Sequence, residues 1–192
     1  NGRFAALTNY KEDSEQKTYD LSRGKLITDY LESDSFTGPD YLSSLEGKSF
    51  AGFNLLVSDG EGVHSYSNRK EGIITITEGV HALGNRFLNS DTKKVNKIKE
   101  DFKEYQKSLN SLDSAFNMML KDSGNLESET KEDLIKRDYE EIPYRFIKSK
   151  LYGTRCTTLL RIDSSKKISV SEQNYLEGGM LGERKSFQFS AT

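Results

Sequence analysis

The residues of this chain with chemistry to offer are two histidines, one cysteine and a recurring set of asparagines and arginines. His64 and His81 fall in separate expected strands, with no acidic partner at a metal-ligand spacing. Each therefore reads as a surface or pocket-lining imidazole in preference to a catalytic base. Cys156 opens the run Thr157-Thr158-Leu159-Leu160, a strand entering the core, which predicts a buried and inert thiol with only Arg155 beside it to lower its pKa. Gly60-Glu61-Gly62 and Gly178-Gly179 lack the Lys-Ser/Thr ending and the following helix of a phosphate loop. Carboxylates crowd the loops without any pair set by spacing for acid–base work. No catalytic residue, metal site or cofactor emerges from these types and spacings.

Polar residues at the ends of apolar strands are more informative. Asn9 closes Phe4-Ala5-Ala6-Leu7-Thr8, Asn54 interrupts Phe53 and Leu55, and Asn85-Arg86 follows His81-Ala82-Leu83-Gly84. Arg155 sits in Tyr152-Gly153-Thr154-Arg155, and Asn68-Arg69 closes Tyr66-Ser67. Buried, such side chains need partners. Asn68-Arg69 reads as a solvent-exposed turn. Asn9, Asn85 and Arg155 are expected to line a shared pocket, with Asn54 as a further candidate.

The elements that must position them follow from periodicity. Residues 4–9 read as a strand leading into a polar loop over 11–18. Ser22 is a candidate N-cap for a helix whose apolar face is Leu26, Ile27, Tyr30 and Leu31. Gly38-Pro39 is expected to break the chain before a helical turn at 41–45. Residues 53–57 and 63–67 flank a tight-turn composition, 73–76 read as a strand covered on both faces, and 80–83 as the next strand of an antiparallel meander. With Asp91 or Thr92 as cap, Val95, Ile98, Phe102, Tyr105, Leu109, Leu112, Phe116 and Met119 recur at steps of three and four. That seam predicts helix lying on sheet, split near Asn110-Ser111, in preference to a coiled coil. An acidic loop over 123–141, with a helical turn near Leu134 and Ile135, precedes three strands at 154–162, 168–170 or slightly beyond, and 187–189. Segregated runs of strands and helices predict an α+β class with layered, mainly antiparallel sheet, and they exclude a Rossmann arrangement.

Composition narrows the function classes. The 192 residues are expected to form one domain, residues 1–192, of 34% hydrophobic and 30% charged residues. Ten Phe and ten Tyr argue against disorder, and a net charge of −2 offers no footprint for nucleic acid. No apolar run is long enough to cross a bilayer, so no transmembrane segment is expected. A single cysteine and the lack of a signal-like opening favour the cytoplasm. The opening Asn1-Gly2-Arg3, without an initiator methionine, reads as the start of a fragment with N-terminal strands missing.

Read in order, Gly2-Arg3-Phe4-Ala5-Ala6-Leu7-Thr8-Asn9-Tyr10, Ser22-Arg23-Gly24, Gly52-Phe53-Asn54-Leu55-Leu56, Tyr66-Ser67-Asn68-Arg69 and Tyr152-Gly153-Thr154-Arg155 resemble the Transport and Golgi Organization 2 (Asn-Arg-Asp-Glu) family. The resemblance implies an Ntn-hydrolase-like αββα sandwich. Family members begin Met-Cys and carry an Asn-Arg-Asp-Glu segment after the first strand; neither is present here, which implies a chain without amide hydrolase activity of its own. By similarity to bile-salt hydrolases and penicillin acylases, Asn9 would help bind an oxyanion, while Asn85 and Arg155 would orient the nucleophile. Gly84 stands where the family usually shows Ser. The implied role is a cytoplasmic, Golgi-associated or mitochondrial factor for Golgi organisation and protein secretion, binding a lipid, an acyl-CoA or haem. The alternative is an Ntn-type amidohydrolase acting on C–N bonds, and a third reading makes the 95–119 helix a partner surface.

Overall fold

A computed structural model describes residues 2–11, 19, 21–107, 111–125, 144–149 and 152–190. They gather into two compact units that divide between Asp91 and Thr92. Both combine helices with sheet, and the two larger sheets are antiparallel, so the α+β class holds.

The first unit contains β1 (Phe4–Asn9), α1 (Gly24–Glu32), α2 (Gly38–Ser43), a single 3-10 turn at Gly47–Ser49, β2 (Phe53–Ser58), β3 (Val63–Ser67) and β4 (Lys70–Ile76). The strands lie in the order β1-β2-β3-β4, each antiparallel to the next; β2, β3 and β4 are three strands of the expected meander, and β1 joins them as the fourth. Strand alternation sends Phe53, Leu55 and Val57 to one face, where they are wholly buried against Leu26 and Tyr30 of α1 and Tyr41 and Leu42 of α2. Tyr41 Oη donates to the Leu26 carbonyl at 2.7 Å. Burial, reinforced by Asp29, pushes this phenol up to about 12, so it stays a donor throughout the ordinary pH range.

Several local expectations need correction. Gly38-Pro39 opens α2: Thr37 accepts from Asp40 N at 3.3 Å, and proline in the first turn has no N–H to lose. Arg23, not Ser22, occupies the N-cap of α1, and Ser22 Oγ accepts from Gly24 N at 3.3 Å. Strand β4 is not covered on both faces. It ends the sheet, so Ile74 remains 42% exposed. Residues 80–83 form no strand. Asn89 N donates to the Ala82 carbonyl at 2.8 Å, and Ala82 N donates to Asn89 Oδ1 at 3.1 Å, so a local turn takes the groups a ladder would have used.

The second unit contains α3 (Lys93–Lys107), α4 (Leu112–Leu120), β5 (Ser123–Asn125), β6 (Phe146–Lys148), β7 (Cys156–Ile162), β8 (Lys167–Tyr175) and β9 (Leu181–Ser190). The long seam is two helices, as the Asn110-Ser111 signal predicted: Thr92 Oγ1 accepts from Val95 N and Ser111 Oγ from Ser114 N. Its α4 half lies on sheet, with Arg184 of β9 4.4 Å from the Phe116 ring. Strands β7-β8-β9 form an antiparallel sheet, while β5 and β6 pair in parallel. Strand β6 escaped the sequence reading because three residues carry no period. Most of the expected acidic loop, including its helical turn at 134–135, lies outside the described residues, as does most of the polar loop at 11–18.

Charges tie α3 to the β5–β6 pair. Arg145, whose side chain is only 4% exposed, meets Asp101 at 2.6 Å and donates to the Met118 carbonyl at 3.1 Å. Lys97 pairs with buried Asp122. A guanidinium and a carboxylate taken out of water need such partners. Gly124 is obligatory for a different reason: a Cβ there would lie 2.0 Å from the Tyr144 ring. No helix among the described residues is long and apolar enough to cross a membrane.

Asp59 Oδ2 accepts from Gly38 N, the first N–H of α2, at 2.8 Å, and that bond chiefly holds the carboxyl below its ordinary value of 3.8. A depressed pKa stabilises the fold fully above the ordinary value and loses that effect as pH falls through the lower folded one. Asp59→Ala should therefore cost about 1 kcal/mol at neutral pH. In paired urea titrations of the two proteins, the difference should shrink as pH falls below the ordinary value of 3.8.

Candidate functional site

Strand alternation turns Thr8, Asn54, Ser65 and Ser67 away from the helices of the first unit. Asn54 is 1% exposed, and its Nδ2 donates to Thr8 Oγ1 at 3.1 Å and to the Arg86 carbonyl at 2.8 Å. Thr8 Oγ1 in turn donates to the Gly84 carbonyl at 2.9 Å. Asn85 Nδ2 donates to the Asn9 carbonyl at 3.0 Å, and Lys11 N to the Asn85 carbonyl at 3.1 Å. Segment 84–86 is thus sewn to the end of β1, and the structure brings Asn9, Asn54 and Asn85 together. The Asn9 side chain is exposed. Arg155 belongs to the second unit, where it is exposed beside the start of β7 and its carbonyl accepts from Tyr175 N at 2.8 Å.

The asparagine cluster is tightly filled. The space lined by Asn54, Ser65 and Ser67 amounts to about 10 Å3, the size of one water. Asn54 Oδ1 is buried there without a hydrogen-bond partner among the described residues. Its orientation is fixed, because the Arg86 carbonyl can only accept and must face the amide nitrogen.

Asn68 is no solvated turn residue. It sits at the β3–β4 turn, half-buried, with both its amide oxygen and its amide nitrogen bonded to backbone groups. Oδ1 accepts from Phe53 N at 2.8 Å, and Nδ2 lies 2.8, 3.2 and 3.1 Å from the carbonyls of Gly47, Phe50 and Ala51. Arg69 reaches Tyr19 Oη at 3.2 Å, and Arg23 reaches the Gly52 carbonyl at 2.9 Å. Tyr-Ser-Asn-Arg therefore secures the non-repetitive stretch before β2. The motif alone could not reveal this, because its partners are backbone atoms.

Cys156 is exposed, contrary to the expectation of burial. It begins an edge strand in which Thr157 is buried while Thr158 and Leu160 face outward. The helices thus receive the threonine side of β7, which hydrophobicity alone would not choose. Neither imidazole is loose: His64 Nδ1 lies 3.2 Å from Thr75 Oγ1, and His81 contacts the Thr77 carbonyl through Nε2 at 3.0 Å and Asn89 Nδ2 through Nδ1 at 2.9 Å. The Thr77 carbonyl requires a proton on Nε2, leaving Nδ1 to accept from Asn89. Among the described residues no group of three or more His, Cys, Asp or Glu side chains is placed to hold a metal ion.

A larger cavity, about 560 Å3, lies within the second unit. Phe102, Tyr105, Leu112 and Ala115 of α3 and α4 line one side of it. Ser169, Ser171 and Ser186 line the other, with Arg161 and Gln188. Ser171 and Ser186 hydroxyls lie 2.8 Å apart. Sequence reasoning found Phe102, Tyr105 and Leu112 as part of a seam, without Ala115. It missed the serines, since small polar residues in a strand look solvated.

Residues 1–177 match the model of the family Transport and Golgi organisation 2. No curated protein matches the chain.

Asn68→Ala should destabilise the protein by about 2–3 kcal/mol, because Phe53 N and the Ala51 carbonyl lose their partner while the Gly47 and Phe50 carbonyls each lose one of two. Asn85→Ala removes one exposed hydrogen bond and should cost about 1 kcal/mol or less. Chemical denaturation of both variants against wild type checks the ranking.

Proposed function

The chain belongs to the Transport and Golgi organisation 2 family, and we propose that it supports Golgi organisation and protein secretion by binding an amphipathic small molecule: a lipid, an acyl-CoA or haem. In this reading it works in the cytoplasm, in association with Golgi or mitochondrial membranes. The observation that carries the ligand is the cavity of the second unit, whose volume of about 560 Å3 falls within the range of small-molecule sites. Apolar side chains of α3 and α4 suit an acyl chain or a porphyrin face. Serine hydroxyls and the Arg161 guanidinium suit a carboxylate or phosphate end. The space beside Asn54 is too small for any of these ligands, so the asparagine cluster serves this reading as scaffold.

Ser186→Phe tests the site by filling it from β9, where Ser186 is exposed. Titrations with oleoyl-CoA, haemin and a fluorescent fatty acid should give saturable binding of at least one probe to wild type. The variant should bind that probe at least about tenfold more weakly while remaining folded by circular dichroism, at a cost of about 1 kcal/mol for the hydrogen bond that Ser171 loses. In cells depleted of the protein, wild type should restore secretion of a reporter and the variant should not. Equal binding by both proteins would remove the cavity from the proposal.

A further inference from the structure

Strand β9 leaves one side of its sheet open. Among the described residues it pairs only with β8, and every residue in it except Gly182 is exposed. It also lies wholly beyond the residues that match the family. Ten residues of such an edge offer a row of N–H and C=O groups to another strand.

Symmetry limits how a second copy could use this edge. A twofold axis normal to the sheet keeps every side chain on its own face, so residues set opposite each other must share that face. The axis must then pass through a residue position. Through Arg184, it sets Glu183 opposite the second copy's Lys185, and Leu181 opposite the second copy's Phe187. Axes through Gly182, Glu183, Lys185 or Ser186 each set a charged side chain against Leu or Phe. Of these five, only the Arg184 axis matches charge with opposite charge and apolar with apolar. Leu181 and Phe187 are 65% and 61% exposed, so the pairing would cover two of the most open apolar side chains of this sheet.

Arg184 itself would meet its copy at the axis, on the opposite face from Glu183 and Lys185. Its guanidinium is already drawn away. It meets Asp113 at 2.6 Å and Gln173 Oε1 at 3.0 Å, and lies over the Phe116 ring. The like-charge contact is thereby offset within each copy.

We propose that β9 is a self-pairing edge, joining two copies of this chain antiparallel about Arg184 into a continuous six-stranded sheet. Sedimentation equilibrium of the full chain from micromolar to millimolar concentration tests this. A reversible dimer is expected, and E183K or K185E alone should weaken it roughly tenfold by turning two attractive cross-strand pairs repulsive. The double variant E183K/K185E should recover wild-type association, because the pair is then re-formed with its sign exchanged. All four proteins should show the same circular dichroism, since both positions are exposed. A chain that stays monomeric throughout, or a dimer indifferent to the single reversals, would overturn the proposal. So would a dimer sensitive instead to Leu160→Asp, which lies on the sheet face away from the edge.

Discussion

The first unit depends on satisfying backbone groups that leave the sheet ladder. Between α2 and β2 the chain makes only a single 3-10 turn, and the carbonyls of Gly47, Phe50 and Ala51 converge there, the first two also accepting from Phe50 N and Arg69. One primary amide answers them while its oxygen takes the N–H of Phe53. That bond sets where β2 begins, and so which face receives Phe53, Leu55 and Val57. A one-residue slip would turn those three side chains away from α1 and α2. The same rule governs Asn54 on the other face, where the amide joins β1 to segment 84–86.

The second unit handles polarity in the reverse sense. Strand β8 buries Ser171, Gln173 and Tyr175 on one side of the pleat. Its neighbours hold Leu160, Ile162, Phe187 and Phe189 outward, each more than two-fifths exposed. Buried polar groups are tolerated because they pair: Gln173 Nε2 with the Gly182 carbonyl at 2.9 Å, Tyr175 Oη with Thr157 Oγ1 at 3.2 Å, and Ser171 with Ser186. The result is a cavity with an apolar helical wall, closed on the sheet side by three serines together with Leu159. Small side chains in the strands leave that volume unfilled, so the composition that weakens packing is also what opens the cavity.

Both features bear on what the family match means. The asparagines and arginines that carry the family resemblance divide between scaffold and surface. Asn54 and Asn68 are consumed by the chain's own backbone, while Asn9 and Arg155 are exposed. Shared residues of this kind report a common architecture, and the cavity of the second unit is built from other side chains.

The sequence by itself determined the class of fold, the meander, the two-helix seam with its break at Ser111, and the family. Each of these rests on a repeating local signal: alternation at two residues, a stripe at three and four, a capping side chain, or motifs in fixed order. It misplaced Cys156, β4 and residues 80–83, because whether an apolar run is covered depends on its place in the sheet and not on its own composition. It also missed the work of Asn68 and the three serines of the cavity. A polar side chain reads as solvated until the carbonyls and hydroxyls that surround it are known, and those come from residues far away in the chain. Periodicity is a property of a segment, whereas burial and hydrogen-bond satisfaction are properties of a neighbourhood, and only the tertiary structure supplies neighbours.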